Sequence, residues 1–413
     1  MNIIKRIGIV LSVVLMTLSG LFGQDIEKEF TLDELIAVGL KNSPHLSAQK
    51  MSMDAQKYSY EASRRLMNPE LEYSRGKAES YDGLIDRNTE GLAITQPIEN
   101  PFKRHYRIQV QKNLWQAAEY VYQRSRIEHI FNIKSQFYKI LFYSQFKELS
   151  RKNLQAIDEI LHLIQKRAAL GEVKELEAIK LNVESLRAKN ELNQAITWEE
   201  LAKENLNKLL GNTLPINFKV AGSLNFFSIN FDEKELIQRA KISQPLLKQK
   251  EKELEQAQNT ISYLKWHRLP DFKLTGFKER ELDGENLGIG ISLDIPLWNF
   301  RSKEIGEAEN LAHQQAQELK ALEMDLTTDI KSWVRQLLLS QQTLELFSSG
   351  LLTQAEVSLR IADVSYREGE ISLIDYLDSQ RTYYSIMKDH QEALFNWNMD
   401  KAALEKVVGE KIQ

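Results

Sequence analysis

An internal duplication divides this chain into two halves and limits the folds that it can adopt. The two halves of the 413-residue sequence align with an offset that changes only from 201 to 198 residues along the alignment. Most of the matched landmarks are proline or glycine, whose positions in a fold have conformational meaning. The matched pairs are Glu34 with Glu235, Pro44 with Pro245, Pro69 with Pro270, Pro97 with Pro296, Gly171 with Gly369, and Gly211 with Gly409. We therefore expect two structural repeats, residues 24–221 and residues 222–413.

The N-terminal segment has the pattern of an export signal. Lys5 and Arg6 precede an apolar run from Ile7 to about Phe22, which ends near small residues. This run of roughly 16 residues is shorter than the about 20 residues of a membrane-spanning helix and is typical of a signal peptide. We interpret residues 1–23 as a removed signal peptide, with a retained membrane anchor as the alternative.

Composition excludes several classes of protein. The net charge is -4 and no long basic run is present, so nucleic-acid binding is not expected. The absence of cysteine excludes disulfides, thiolate metal sites and a lipidated N-terminal cysteine. The seven histidines show no ligand spacing, so we predict no metal site, no cofactor and no enzymatic activity. An exported chain of this kind is either free in the periplasm or held in the outer membrane by its own fold.

Each repeat is predicted to begin with a helix and to continue with a β-hairpin. Thr31 followed by Glu34 has the pattern of a capping box, and a break is expected at Pro44 because the residue before a proline avoids helical geometry. The strongest strand signal is the alternation of apolar with small or polar residues from Leu287 to Ile295. A strand with one fully apolar face suits either a soluble sandwich or a barrel with lipid outside and water inside.

Prolines mark the ends of the two predicted hairpins, which are about residues 70–97 and about residues 270–296. Proline cannot donate a hydrogen bond to a strand ladder. We therefore expect Pro97 and Pro296 to end the strands at the turns into the following helices.

Long helical patterns without proline follow the hairpins, at residues 102–170 and residues 300–368. Each pattern spans roughly 68 residues, or about 100 Å at a rise of about 1.5 Å per residue. Because these helices are charged and amphipathic, we expect them to pack side by side in a coiled-coil-like wall. Gly171 and Gly369 are expected to reverse the chain. The return helices are predicted at residues 173–210 and 371–408.

Four strands in each copy are too few to close a barrel. An open strand edge in lipid leaves unpaired backbone groups that cost several kcal/mol each. Small outer-membrane barrels have at least about eight strands, so at least two copies are required. A dimer and a trimer are both compatible with this argument, and three copies would give twelve strands.

Several short motifs occur in a fixed order along the chain. They are Ser43-Pro44, Asn68-Pro69, Gln96-Pro97, the run Leu-Asp-Ile-Pro-Leu at residues 293–297, and residues 366–378 around Gly369. With the order of the predicted elements, these motifs make the chain resemble the TolC family of outer-membrane efflux proteins over essentially the whole mature sequence. The resemblance implies an α+β membrane protein. Its long helices would form a periplasmic α-barrel, and the four strands of each copy would contribute to a trimeric, twelve-stranded outer-membrane β-barrel.

The resemblance also implies a function and partners. The chain is expected to be the passive channel of a tripartite efflux or type I secretion system, in the outer membrane of a Gram-negative bacterium and extending into the periplasm. The expected partners are two further copies, outer-membrane lipid, a periplasmic adaptor, and an inner-membrane pump of the RND or ABC type. A periplasmic coiled-coil adaptor or scaffold is the alternative, and an exported enzyme is a second one. Metal cations, drugs and proteins are all candidate cargoes, and the acidic mouth resembles the heavy-metal branch.

A periplasmic gate at the helical turns is a further implication of the resemblance. The acidic ring of the family corresponds to Asp375 and Asp378, and the duplication places Glu177 opposite Asp375. Three copies would crowd these carboxylates into a narrow mouth that attracts cations. Alternatively, these acidic residues only begin a helix, where negative charge suits the helix dipole.

Two further positions near the turns bear on this gate. Tyr366 matches a family position that helps to hold the gate shut, and Gly171 and Gly369 form the turns themselves. The family's usual basic gate residue, two positions after the glycine, is Ile371 in this sequence. This departure argues against the usual bonding network.

Aromatic residues cluster beside the predicted strands. Trp298, Phe300 and Phe102 are interpreted as residues of a membrane interface, where aromatic side chains collect. The alternative is that they pack beneath the proline turns.

Overall fold

The structure is a computed structural model. It describes residues 29–79, 81, 83, 86–215, 218–282, 284–295 and 298–412. The expected signal peptide at residues 1–23 and the expected strand end at Pro296 lie outside these described residues. Among the helices of the described residues, none combines the length and the apolar character needed to cross a membrane.

The chain divides into two compact units. The helical unit consists of residues up to Ser43, His129–Ile229 and Arg335–Ala403. The sheet unit consists of Pro44–Glu128, Asn230–Val334 and residues from Leu404 onward.

The same order of elements occurs twice along the chain. The first set is β1 (Glu29–Phe30), α1 (Leu32–Asn42), α2 (Pro44–Ser63), β2 (Glu70–Glu79), β3 (Asp86–Ile98), α3 (Pro101–Ala169) and α4 (Glu175–Leu209). The second set is β4 (Lys219–Val220), α5 (Glu233–Ser243), α6 (Pro245–Trp266), β5 (Phe272–Arg280), β6 (Glu285–Leu293), α7 (Ser302–Leu346), a π-helical turn (Phe347–Leu351), α8 (Leu352–Glu368) and α9 (Leu373–Val408). The short strands β1 and β4 pair in parallel.

Local sequence determines how the first helices start and stop. The Thr31 hydroxyl accepts the Glu34 N–H at 3.4 Å, and the Glu34 carboxylate accepts the Thr31 N–H at 2.8 Å. The predicted capping box is therefore confirmed. Ser43 separates α1, which ends at Asn42, from α2, which begins at Pro44. Ser43 is extended, with ψ at 118°, because the following proline disfavours helical geometry.

Four antiparallel strands form the large sheet, in the order β2-β3-β5-β6. Glu70 of β2 lies opposite Thr95 of β3. Phe272 of β5 lies opposite Ile98 on one side and Leu293 on the other. The two hairpins are therefore joined through β3 and β5, and β2 and β6 form the two edges of the sheet.

One face of this sheet is apolar and exposed. Leu287, Ile289 and Ile291 of β6 are 86%, 79% and 73% exposed. A soluble sandwich would bury such a face against a second sheet, and none covers it within the described part of the chain. Large exposed apolar surfaces mark contacts with membranes or with other proteins. The face therefore fits a barrel better than a sandwich.

The position of Pro97 differs from the expectation. β3 continues to Ile98, and Pro97 lies within the strand, opposite Lys273 of β5. The pairing of β3 with β2 has already ended at Thr95. Proline removes a ladder donor and is tolerated where a strand has a partner on one side only. The turn into α3 consists of the two residues that follow Ile98.

The second long helix also differs from the expectation. α3 is one uninterrupted helix of 69 residues. In the second repeat, the π-helical turn separates α7 from α8, and Gly350 within it has a non-helical φ of 131°. Lys152 occupies the corresponding position in α3. Only glycine adopts such a φ at low cost, so the sequence difference explains why one copy is interrupted and the other is continuous.

Apolar clusters stabilise the helical unit. One cluster packs Leu35 of α1 against Ile133 and Phe137 of α3 and Leu206 of α4. Gly39 of α1 lies directly beside the Ile133 side chain, so a Cβ at this position would require that side chain to move. A second cluster lies at the helical turns, where the candidate site is found.

Candidate functional site

One apolar cluster joins the two helical turns of the helical unit. It is built from the ends of α3 and α4, which flank the Gly171 turn, and of α8 and α9, which flank the Gly369 turn. The buried members of this turn cluster are Ile157, Ile160, Ile164, Leu181, Ala188, Ala362, Tyr366, Leu373, Tyr376 and Leu377. The structure thus brings the two turns together on shared side chains.

Both turns are closed by a glycine in the left-handed conformation. The φ angle is 76° at Gly171 and 80° at Gly369. After Gly369, the Glu370 N–H donates to the Ser365 carbonyl at 2.8 Å, and the equivalent bond after Gly171 measures 2.9 Å. This is the Schellman arrangement, in which glycine avoids the strain that a Cβ would introduce.

Asp375 is bonded to the start of α9. The Ser372 hydroxyl donates to the Asp375 carboxylate at 2.6 Å, and the Ser372 N–H donates to it at 3.2 Å. The Asp375 N–H donates in return to the Ser372 hydroxyl at 3.3 Å. These bonds form a capping box. Within a single copy of the chain, Asp375 therefore stabilises the helix start, while its side chain stays exposed to solvent.

The other two acidic residues of the expected ring have different surroundings. Asp378 is exposed on α9, and Glu177 is half-buried near the start of α4. The Glu177 carboxylate lies near Tyr366, and burial together with this carboxylate raises the pKa of the phenol. Lys174, at the cap position of α4, forms no side-chain bond to the helix. Within the described residues, no group of three or more His, Asp or Glu is arranged to hold a metal ion.

Two tyrosines stack at the Gly369 turn. The ring centroids of Tyr366 and Tyr376 are 5.2 Å apart and their planes differ by 24°. Burial raises the pKa of Tyr376 to about 12. Ile371 packs against the same turn cluster. The residue that the resemblance placed at the basic gate position thus makes an apolar contact.

A polar layer beside the turn cluster was not predicted from the sequence. The buried Gln380 amide donates to the Asn153 side chain at 3.2 Å, and Arg381 forms an ion pair with Glu184. All four side chains line a cleft of about 420 Å³. In the sequence, a polar layer is indicated where polar residues interrupt the apolar stripe of a long helix. The partners of these residues lie on other helices and are known only from the structure.

The aromatic residues expected at a membrane interface lie in the sheet unit. Trp298 is 96% exposed and Phe300 is 61% exposed, between β6 and α7. Phe102, at the start of α3, stacks on Trp266 with ring centroids 4.3 Å apart. Phe102 remains 56% exposed despite this stacking, so all three side chains are accessible and their place at an interface stays a prediction.

Sequence comparison matches this chain to known proteins along most of its length. It matches the model of the family described as "Outer membrane efflux protein" over residues 35–212 and 236–410. The chain is 22% identical over 365 residues to the cobalt-zinc-cadmium resistance protein CzcC of Cupriavidus metallidurans, and the match covers 88% of this chain and 86% of CzcC.

The fold is similar to those of solved outer-membrane channels. The CmeC outer membrane channel of Campylobacter jejuni has a TM-score of 0.76 and 18% identity, covering 92% of this chain and 85% of CmeC. The open state of the MtrE outer membrane channel of Neisseria gonorrhoeae has a TM-score of 0.79 and 15% identity, covering 92% of this chain and 89% of MtrE. The expected fold class, long helices with a small strand component, is confirmed by this similarity.

Proposed function

This chain belongs to the outer membrane efflux protein family, and we propose that three copies of it form the passive duct of a tripartite system that exports divalent metal cations. It is an outer-membrane channel that extends into the periplasm, and it is not an enzyme. Members of this family act with a periplasmic adaptor and a pump. For this chain we propose an adaptor and a pump of the RND or ABC type. Family membership argues against the alternative of a soluble periplasmic adaptor.

The proposed trimer is supported by the edges of the sheet. Within the described residues, β2 and β6 each have a partner strand on one side only. In lipid, every unpaired backbone group of such an edge costs several kcal/mol. Pairing β6 of one copy with β2 of the next removes both edges, and a homotrimer is typical of the structural neighbours. Three copies would form a closed ring of twelve strands.

The proposed cargo is supported by the charge of the turns. Residues 368–378 contain four carboxylates and no basic residue, and residues 171–178 contain three carboxylates and one lysine. Three copies would collect these charges around one mouth, which would attract cations and repel anions. The relative CzcC is named for resistance to cobalt, zinc and cadmium, which supports divalent metal cations as the cargo.

The proposal is tested by recording the current through single channels of the purified protein in planar bilayers. The variant combines Asp378→Asn with Glu177→Gln. Neither carboxylate forms an ion pair with a described residue, so folding is expected to be retained. Removing two negative charges from each copy is expected to weaken the block of the current by cobalt or zinc ions roughly tenfold.

The matched control is Glu356→Gln, an exposed carboxylate on α8 that lies 13 residues before Gly369. It removes a charge from the same helical unit but away from the turns, so the block should stay unchanged. Equal block in the double variant and the unmodified protein would rule out the acidic mouth. Equal weakening in the control would show that the effect is not local to the turns.

A further inference from the structure

The four-stranded sheet has two ends with different surroundings. At its helix end lie the starts of β2 and β5 and the ends of β3 and β6, as the pairs Glu70–Thr95 and Phe272–Leu293 show. At its hairpin end, the chain turns between paired strands. Four segments at the helix end connect the strands to helices. They are residues 64–70, 98–107, 265–273 and 293–304.

The helix end is basic and the hairpin end is acidic. The four segments at the helix end contain ten Lys or Arg and five Asp or Glu. The hairpin segments, residues 75–90 and 278–285, contain five basic and eight acidic residues. At the hairpin end, Lys278 and Arg280 both pair with Glu285, at 3.0 and 2.8 Å. The excess of positive charge therefore lies where the sheet continues into the periplasmic helices.

Several cations at the helix end form no ion pair with a carboxylate of the described residues. Glu99 pairs with Arg107 at 2.7 Å, and Asp271 pairs with the buried Lys103, so these two carboxylates are occupied. Asp294 lies 4.0 Å from the Lys273 ammonium. Six basic residues at this end form no ion pair with a described carboxylate, and we call them the interface collar. They are Arg64, Arg65, Arg104, Arg268, Arg301 and Lys303.

Two members of the interface collar lie beside an exposed tryptophan. The Arg268 Nε donates to the Phe300 carbonyl at 2.8 Å, which fixes this guanidinium against the segment that carries Trp298. Trp298 and Arg301 line the same cleft, whose volume is about 360 Å³. Indole rings collect at the boundary between acyl chains and headgroups, and basic side chains next to that boundary attract anionic lipid.

We propose that the helix end of the sheet binds anionic phospholipid headgroups, with Arg268 and Arg301 contacting the phosphate and Trp298 lying at the edge of the acyl chains. A guanidinium presents several donors in a planar fork that matches phosphate oxygens. The apolar face of β6 leads directly into this segment. The occupant is therefore a lipid of the surrounding bilayer, whose tails cover the strands while its headgroup meets the collar.

The test uses the full chain reconstituted in bilayers of phosphatidylcholine that contain brominated phosphatidylglycerol. Bromine quenches tryptophan fluorescence, so the quenching measures how strongly the anionic lipid is preferred at the protein surface. The variant combines Arg268→Gln with Arg301→Gln. Losing two cations per copy is expected to lower the preference for phosphatidylglycerol roughly tenfold.

Two further variants test whether the lipid preference depends on the charge of the side chains and on their position at the helix end. Arg268→Lys with Arg301→Lys keeps both charges, and it should keep most of the preference. Arg75→Gln with Arg280→Gln removes two cations from the hairpin end, and it should leave the preference unchanged. An unchanged preference in the Arg268→Gln, Arg301→Gln protein would overturn the proposal, and so would an equal loss in the hairpin-end variant.

Two measurements on the unmodified protein make the test independent of how the variants fold. Raising the salt from about 0.1 M to about 1 M shortens the screening length from about 10 Å to about 3 Å, and it should weaken the lipid preference. Inorganic phosphate at the same phosphate concentration should not compete with the lipid. Complete displacement of the lipid by inorganic phosphate, or a preference that is insensitive to salt, would contradict a lipid site of this kind.

Discussion

The Gly171 turn and the Gly369 turn are two copies of one motif, with the same backbone conformation but different residues at the equivalent positions around the glycine. Both close around a left-handed glycine with the same backbone hydrogen bond. The Gly369 turn adds a capping box and a stacked tyrosine pair. The corresponding residues of the two turns are Ser372 and Lys174, Tyr366 and Ala168, and Tyr376 and Ala178.

Glycine alone is therefore sufficient to reverse the chain, and we infer that the side chains around it determine how firmly the turn is held. The first turn has no side-chain cap and presents alanines where the second turn presents aromatic rings. We therefore expect the Gly369 turn to open at a higher free energy than the Gly171 turn. Hydrogen exchange of the amides in each turn measures this difference directly.

Removing an aromatic ring from the Gly369 turn is expected to lower the opening free energy of that turn more than any other change considered below. Tyr376 is 4% exposed, so Tyr376→Ala leaves a cavity and should lower the opening free energy of the Gly369 turn by about 3 kcal/mol. The measurement is hydrogen exchange of the amides at the end of α8 and the start of α9. Tyr58→Ala, at an exposed tyrosine of α2, is the control and should change stability by less than about 0.5 kcal/mol. Unchanged exchange in Tyr376→Ala would show that the stacked pair does not hold the turn.

A smaller effect is expected at alkaline pH. Burial raises the pKa of Tyr376 from 10.0 to about 12, so the folded turn favours the neutral phenol. The contribution of this phenol is fully present below about pH 10 and is lost as the pH rises from about 10 to about 12. The loss should reach about 2 kcal/mol in the Gly369 turn and should be smaller in the Gly171 turn, which has Ala178 at that position.

Tyr376→Phe separates this titration from packing. The variant keeps the ring and has no ionisable hydroxyl, so its Gly369 turn should lose less stability over the same pH range. Hydrogen exchange corrected for the intrinsic rate at each pH, or the tyrosinate absorbance during unfolding, provides the measurement. An equal alkaline loss in the variant and in the unmodified protein would assign the effect to other groups.

The smallest expected effect comes from exchanging the caps of the two return helices. Ser372→Ala removes the side-chain cap of α9 and should cost about 1 kcal/mol. Lys174→Ser should stabilise α4 by up to about 1 kcal/mol, because Glu177 already lies three residues further on and would complete a capping box. Together the two substitutions should bring the opening free energies of the two turns closer. If Lys174→Ser leaves exchange at the Gly171 turn unchanged, the cap does not explain the difference between the turns.

The sequence predicted those features whose physical cause lies within a few residues. The Thr31 cap and the break before Pro44 depend on hydrogen bonds and steric clashes between near neighbours. The alternation from Leu287 onward identified β6 and its apolar face, because side chains of a strand point to opposite faces in turn.

Features that depend on distant segments were not predictable in the same way. Pro97 stays within its strand because β5 continues beside it after β2 has ended, and this register is a property of the sheet. Gln380 donates a hydrogen bond to Asn153, which lies 227 residues away in the sequence. The residues next to either side chain do not indicate that the two pair. Gly350 could have been noticed by comparing the repeats, since its counterpart is Lys152, but a single glycine is tolerated inside a helix and does not by itself predict an interruption.

The even number of strands in the sheet has a consequence for how copies of the chain can pair with one another. In a sheet of four antiparallel strands, the edge strands β2 and β6 run in opposite directions. If identical copies are placed side by side, β6 of one copy is therefore antiparallel to β2 of the next. Every seam between copies can then repeat the antiparallel ladder found inside each copy, which an odd number of strands would forbid. In the proposed trimer, an incomplete ring would expose the unpaired backbone groups of its two open edges to hydrocarbon. For that assembly we therefore expect entry into the bilayer and association of the subunits to be a single cooperative event.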